Sequence, residues 1–322
     1  MKCLRPVNLP LINNLTLTLQ DTNVTLSLLP KTNDFSLLTG KSVMRVSKVG
    51  ILYHPMNEAA YTLAKKLGEF LDTRDVSVGL RSAWEWETAK TQINNTDLIL
   101  SIGGDGTILR AAQAAVPDLT PITGVNLGRL GFMTELSADE AVAKLPALLA
   151  GEGWIDERAM LEAKLSPTDH GAESVFYALN DVVVGRGAIA RTVYVEASID
   201  GEPLTTYKAD GVIVATATGS TGYALAAGGP ILQPQSRELL LLPILPHLSS
   251  AYSMVLPSTA IVKLRITTAH QAILSIDGHI NLPISSGAII TIKHSANTTR
   301  FLRIHPETSF YSSLEQRLKG KR

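Results

Sequence analysis

Five residues, Gly103-Gly104-Asp105-Gly106-Thr107, stand between an apolar stretch ending at Ile102 and a run in which Ile108, Leu109, Ala112 and Ala115 recur at helical spacing. Backbone N–H groups exposed at a helix start, together with the helix dipole, favour a bound phosphate. Three glycines let the backbone approach a ligand closely and take left-handed torsions. An aspartate that merely faces an anion is costly, so Asp105 needs a chemical reason. It can accept the proton of a hydroxyl nucleophile, or hold Mg²⁺ against the phosphates. The bland alternative is a structural turn with Asp105 as the helix cap.

A second constellation runs from Asp210-Gly211 through Thr216-Ala217-Thr218-Gly219-Ser220-Thr221-Gly222-Tyr223 to Gly228-Gly229-Pro230. A strand leads into a loop dense in hydroxyls and glycines, which exposes donors rather than filling a core. Ligand binding and a plain Gly/Ser/Thr connector both fit that composition. Asn180-Asp181 interrupts what reads as one buried strand, Val175–Val184, and such an interruption is expensive unless both side chains are satisfied. Arg191, Lys208 and His279 are isolated charged or titratable groups near turns, where a solvated side chain is the simpler reading.

The chain has 322 residues, with 29 Lys+Arg against 29 Asp+Glu and seven His. Its zero formal charge offers no polycation to nucleic acid. With 45% apolar and 18% charged residues and a mean hydropathy of +0.15, it has material for a sizeable core and no disorder signature. Cys3 is the only cysteine, which excludes an intrachain disulfide and a thiolate zinc site and points to the cytoplasm. The longest apolar run, Leu239–Leu248, is broken by Pro243 and Pro246 and falls short of the roughly 20 residues of a membrane span. Gly40-Lys41-Ser42 imitates the end of a P-loop, but Phe35 stands where that motif needs glycine.

The elements that must position these residues divide into two halves. Residues 1–43 lack clean periodicity and read as an N-terminal extension, genuine or the product of an over-early start codon, with the folded enzyme beginning near Met44. Met44–Tyr53 predicts a buried first strand. Asn57 predicts the cap of a helix bearing Ala60, Leu63, Ala64, Leu67, Phe70 and Leu71 on one face. Strands over 97–102 and 121–125 and helices after Gly106 and over 138–150 continue the alternation, which argues a parallel α/β sheet. From about Arg158 short strands separated by turns take over, with Asp200-Gly201 as a hairpin signal. The expected domains are therefore an α/β domain over 44–157 and a β-rich domain over 158–300.

In order and spacing, Gly103–Thr107, Asn126-Leu127-Gly128-Arg129-Leu130-Gly131-Phe132, Asn180-Asp181, Asp210–Pro230 and Ser275-Ile276-Asp277-Gly278 resemble the NAD kinase family from about residue 44 onward. The Gly-Gly-Asp-Gly-Thr loop alone has close relatives in diacylglycerol and sphingosine kinases and in phosphofructokinases; the long block from Asp210 singles out the NAD kinases. The resemblance implies a Rossmann-like α/β domain, a sandwich-like β-rich domain, and a last segment, 301–322, returning to the first. It implies transfer of the terminal phosphoryl group of ATP or polyphosphate to the 2′-hydroxyl of the adenosine ribose of NAD, with Mg²⁺ or another divalent cation. Asp105 would accept the proton. Asp105, Gly106, Asn180, Asp181, Arg191, Lys208, Asp210, Thr221, Gly222, Tyr223, Ala224, Leu225, Ala226, Leu245 and His279 would bind NAD, while Gly103, Gly104 and Thr107 would face the donor phosphates. No dedicated protein metal cage, no nucleic acid and no membrane are expected, and the implied assembly is a homodimer or homotetramer. The chain departs from the family at Ala217 (commonly Pro), Ala224 and Ala226 (often Ser), His279 (frequently Gln) and Asp181 (frequently Glu). A lipid kinase with the same glycine loop, or a nucleotide-binding regulator without turnover, are the competing readings.

Overall fold

The computed structural model describes residues 46–93, 95–128, 131–166, 172–188, 191–247, 252–307 and 310–319. The expected extension 1–43 lies outside them, as does the Gly40-Lys41-Ser42 triplet. Residues 43–322 form one compact unit.

In its first part β1 (Lys48–Tyr53), α1 (Glu58–Asp72), β2 (Ser77–Ser82), α2 (Trp86–Ile93), β3 (Leu98–Ile102), α3 (Asp105–Ala115), β4 (Ile122–Asn126), β5 (Leu136–Ser137) and α4 (Ala138–Leu149) alternate. The Asn57 side chain accepts from the N–H groups of Ala59 and Ala60 at 3.0 and 3.3 Å and so caps α1. A reciprocal Ser137–Glu140 capping box opens α4. β3 and β4 are buried along their whole length, which is why they read as continuous apolar runs. The parallel strands lie in the order β2-β1-β3-β4. The chain winds outward in one direction from β1 and in the other from β3, and a crevice opens beyond the carboxyl ends of two such strands. The Gly103–Thr107 loop leaves β3 at that point, where His54 N–H donates to the Ile102 carbonyl at 3.0 Å.

The rest is β-rich: β6 (Trp154–Ser166), β7 (Ser174–Ala178), β8 (Asp181–Arg186), β9 (Val193–Ile199), β10 (Glu202–Ala209), β11 (Gly211–Ala215), a single turn α5 (Tyr223–Ala226), β12 (Leu239–Ile244), β13 (Met254–Leu256), β14 (Val262–Ile266), β15 (Ala272–Ile276), β16 (Ile280–Ile284), β17 (Ile289–Arg303) and α6 (Phe310–Lys319). The strand expected over 175–184 breaks into β7 and β8 at Leu179–Asn180, where the polar pair stands. Asp200 and Gly201 take φ of 53° and 89°, the two left-handed residues of a tight hairpin between β9 and β10. The apolar run at Leu239 is β12; β13 pairs only with Leu239–Leu241, so no strand lies outside Pro243, as proline in a sheet requires.

Among the described residues the strands form an 11-stranded and a 6-stranded sheet. The small one, β13-β12-β11-β8-β15-β16, packs its Val182, Val212 and Leu274 against Val195, Leu264 and Ile292 of the large one. Two strands carry the large sheet through both halves of the chain. β17 pairs antiparallel with β6 over most of its length and parallel with β4 at Phe301–Ile122. Its Phe301 enters the apolar cluster of α2 and α3, and its Leu302 the cluster of α1 and α4 on the opposite face. Both strands therefore run across the expected boundaries at 157/158 and 300/301. None of the described helices is long and apolar enough to cross a membrane.

At this seam sits a buried ionic triad. Arg158 grips Asp156 with Nε and Nη2 at 2.7 and 2.6 Å, and Arg303 reaches the same carboxylate with Nε and Nη2, both at 3.1 Å. Burial alone would raise the Asp156 carboxyl, but the two guanidiniums outweigh it and hold it below the usual carboxylate range. Removing the shared anion leaves Arg158 buried without its counterion and Arg303 with only Glu135, at 3.4 Å. Asp156→Asn is expected to cost about 3–5 kcal/mol of stability, read from urea unfolding. Because the folded carboxyl is depressed, this contribution is present at neutral pH and lost as pH falls through and below the usual carboxylate range. The wild type should show that loss and the variant should not; equal acid profiles would show that the triad contributes nothing.

Candidate active site

Gly103 has φ +155°, and a Cβ on it would lie 2.3 Å from Thr107 Oγ1, so the turn out of β3 accepts only glycine. A Cβ on Gly104 or Gly106 would meet nothing within 4 Å, which leaves this backbone open to an approaching ligand. Gly104 is the N-cap of α3 and provides no side-chain cap. Asp105 is the first helical residue, and its carboxylate turns away from the helix. Oδ2 accepts from Phe132 N–H at 2.8 Å and Oδ1 from Met133 N–H at 3.0 Å. The helix-cap alternative is thereby replaced: Asp105 binds the loop that follows β4. Each carboxylate oxygen has roughly two acceptor sites, so both keep one for another partner. Thr107 is buried beneath Gly103, and its hydroxyl has no hydrogen-bond partner among the described residues.

Two helical turns along α3, Gln113 Nε2 donates to Asp277 Oδ2 at 3.2 Å and to the Tyr177 carbonyl. Eight residues at 1.5 Å place this contact about 12 Å from Asp105 along the helix axis. Asp277 is the anchor of the second cluster. It accepts from the N–H groups of Leu179, Asn180 and Asp181 at 2.9, 2.7 and 3.1 Å, and its own N–H donates to the Asp181 carbonyl at 3.0 Å. Asn180-Asp181 therefore interrupts its strand with the backbone fully engaged. The Asn180 carbonyl accepts from Thr216 N–H at 2.9 Å, and Thr216 Oγ1 accepts from Gly219 N–H at 3.0 Å. A Cβ on Gly219 would sit 2.1 Å from the Asn180 oxygen, so the second motif can close on the first only with glycine there.

A cavity of about 300 Å³ opens at this junction, lined by Asn180, Asp181, Val183, Tyr223, Ser275, Asp277 and Gly278. Asn180 Oδ1 and His279 Nε2 are buried polar atoms without a partner among the described residues. Burial and the neighbouring Asp277 charge raise the Asp181 carboxyl to about 7. Burial likewise raises Asp277, against the opposing pull of its three backbone N–H donors and of His279. Burial lowers His279. The site thus offers an amide acceptor, a carboxyl that changes charge near neutral pH, and an exposed aromatic ring.

A model of the ATP-NAD kinase N-terminal domain matches residues 49–153, and one of the ATP-NAD kinase C-terminal domain matches residues 179–304. The chain belongs to the NAD kinase family. It is 52% identical over 273 residues to an NAD kinase of Dehalococcoides mccartyi, covering 85% of this chain and 96% of the relative. It is 40% identical over 276 residues to that of Chloroflexus aurantiacus, covering 85% and 99%. Among solved structures, an NAD kinase from Archaeoglobus fulgidus in complex with ATP matches with TM-score 0.68 and 27% identity, over 84% of this chain and 98% of that one. Yeast NADH kinase complexed with NADH shares the fold with TM-score 0.77 at 24% identity, over 85% and 88%.

Set against the residues that the NAD kinase resemblance singles out, the structure brings some together and separates others. Asn180, Asp181 and Tyr223 line the cavity, with Thr221, Gly222, Leu225 and Ala226 on the same turn and His279 beside Asp277. Ala224 is fully buried against Leu240 and Leu242, so its small size serves packing. Asp210, Lys208 and Leu245 lie along the neighbouring strands β10–β12, and Arg191 is exposed. Ala215 pairs with Asp181, and five residues at about 3.3 Å put Asp210 roughly 16 Å down the sheet from Asp181. There it pairs with Arg186 at 3.4 Å. Leu245 is 72% exposed, and the Lys208 ammonium lies 5.6 Å from the Tyr194 ring. Sequence reading left Asp277 and Gln113 without roles, because Asp277-Gly278 is also an ordinary turn signal and the partners of Asp277 lie nearly 100 positions away.

The raised Asp181 carboxyl has a consequence for stability. Folded, it stays protonated up to about 7, while the unfolded chain ionises near its ordinary value. Its contribution is therefore whole below the unfolded value and lost as pH rises toward the folded one. Asp181→Asn should flatten the fall in melting temperature between about pH 4 and 7. A variant whose melting curve tracks the wild type throughout that range would refute the burial argument.

Proposed function

We propose that this chain is an NAD kinase that transfers the terminal phosphoryl group of ATP to the 2′-hydroxyl of the adenosine ribose of NAD, with polyphosphate as the second donor to test. The observation that carries the reading is Asp105: a carboxylate held by two N–H groups at the head of a helix whose glycine loop lies open. The donor's phosphates would meet the N–H groups of Gly103–Thr107 and the helix dipole. Asp105 would take the hydroxyl proton as the new oxygen–phosphorus bond forms and the bond to the leaving diphosphate breaks, so that positioning and electrostatics supply most of the acceleration. Asn180, Asp181, Tyr223 and the Thr221–Ala226 turn would bind NAD, with His279 at its edge.

A divalent cation would neutralise the donor charge. No group of three or more His, Cys, Asp or Glu among the described residues could hold a metal by itself. This chemistry suits Mg²⁺, which keeps several waters and is carried by phosphates with one or two carboxylates; Asp105 is the carboxylate at hand.

We also propose that the enzyme works as a homodimer or homotetramer. Asp210 stands about 16 Å down the sheet from Asp181, and the exposed Leu245 and the Tyr194 ring near Lys208 suit a contact with a second copy. If this patch serves the neighbour's site, two inactive variants, Asp105→Asn and Asp210→Asn, should regain activity when mixed and reassembled. No recovery in assembled hybrids would refute it.

The primary test is NADP formation from NAD, ATP and Mg²⁺. Asp105→Asn keeps the side chain's size but not its basicity, and should slow turnover by about 10²–10⁴-fold while NAD still binds. Full activity in the variant would remove Asp105 from the chemistry, and phosphorylation of a lipid alcohol in place of NAD would replace the reading altogether.

A further inference from the structure

α6 has no fully buried residue; Phe310, Ser313, Leu314 and Arg317 are half-buried. The contact that ties it to the loop after β4 is polar. Arg317 Nη1 donates to the Gly131 carbonyl, and Arg317 Nε donates to Ser313 Oγ at 3.1 Å, one helical turn earlier, which fixes the guanidinium's direction. The same peptide unit whose carbonyl Arg317 holds presents the Phe132 N–H to Asp105 Oδ2 at 2.8 Å. One rigid peptide plane therefore lies between a guanidinium and the carboxylate, with its dipole aligned to both.

The neighbouring atoms leave this peptide little freedom. Gly131 N–H donates to Thr134 Oγ1 at 3.0 Å. On the far side of the loop Arg303 Nη1 donates to the Met133 carbonyl at 2.8 Å, while Met133 N–H holds Asp105 Oδ1. The Asp105 carboxylate lies flat against Gly131, where a Cβ would come within 2.2 Å of Oδ1. Arg303 is locked in the buried triad. Arg317 comes from the last helix and is the one of the two that substitution can remove without dismantling the core.

We propose that Arg317 is a positioning residue for Asp105: it clamps the Gly131–Phe132 peptide so that the carboxylate is fixed toward the acceptor hydroxyl. The inference rests on the kinase reading above, and nothing in it requires Arg317 to touch a substrate. Without the guanidinium the peptide can turn, the Phe132 N–H leaves Oδ2, and the carboxylate swings about its remaining bond to Met133.

The test uses the full chain and four enzymes: wild type, Arg317→Met, Asp105→Asn and the double variant, with kcat and KM for NAD measured in each and melting temperature as the folding control. Arg317→Met is expected to lower kcat by roughly 10- to 100-fold, the scale of an ångström misplacement, with KM little changed. Arg317→Lys, which keeps a donor near Gly131, should recover much of the loss. In the Asp105→Asn background the same substitution should have no further effect, because the two act as one unit. An unchanged kcat in Arg317→Met, or a loss that persists undiminished in the double variant, overturns the proposal. If Arg317→Met does not fold, Ser313→Ala, which frees the guanidinium without removing it, decides: a lowered kcat at constant KM supports the clamp, and an unchanged kcat refutes it. A wild type that makes no NADP is instead a failure of the kinase reading.

Discussion

The fold hangs on one carboxylate. Asp156 on β6 binds Arg158 on its own strand and Arg303 on β17, and through them the two long strands are fixed side by side where the α/β half meets the β-rich half. The fully buried Phe301 ring lies under both guanidiniums, at 4.6 Å from Arg303 and 5.7 Å from Arg158. Three buried charges beside a cavity of about 700 Å³ are weak evidence of net stability. Their value here is geometric, since they fix β17 relative to β6 and the same Arg303 holds the Met133 carbonyl behind the loop that binds Asp105.

A second carboxylate does for the small cavity at Asn180 what the first does for the seam. Asp277 gathers the N–H groups of three successive residues and so sets the backbone that presents Asn180 and Asp181. Through Gln113 it also touches the helix headed by Asp105. The two candidate clusters, one for the phosphoryl donor and one for the acceptor, are thus joined by a single rigid helix and one buried turn. Preorganisation of this kind lets positioning supply a large part of a phosphoryl-transfer barrier.

What was legible beforehand was local. The Asn57 cap, the glycine turn after β3, the Asp200-Gly201 hairpin and the alternation of the first half follow from short-range rules of propensity and periodicity, and the structure meets each of them. What was not legible depends on partners far apart in the chain. Nothing near Asp277 in sequence announces that it will hold Asn180, and nothing near Arg317 announces Gly131, 186 positions earlier. Ala224 has the composition of a binding loop, yet its burial against β12 is set by tertiary packing. Asp210 was grouped with Asn180-Asp181 through a family motif; strand register puts it some 16 Å from Asp181. The β6 and β17 strands cross the expected domain limits because a composition change marks where helices stop, not where a sheet ends.

The place of β17 in the sheet also fixes an order of events. Its residues 289–303 follow every other described strand of the chain, yet they lie between β14, β4 and β6 near the middle of the large sheet. On a ribosome the β2-β1-β3-β4 layer can assemble early, but the edge of β4 at Ile122 waits some 180 residues for Phe301, and the Trp154–Ala159 end of β6, which β7 does not cover, waits some 140 for its partner. Unpaired edges of that kind invite pairing with other chains. The chain is therefore most exposed to misassembly until β17 has emerged, and that strand closes the sheet rather than trailing from it.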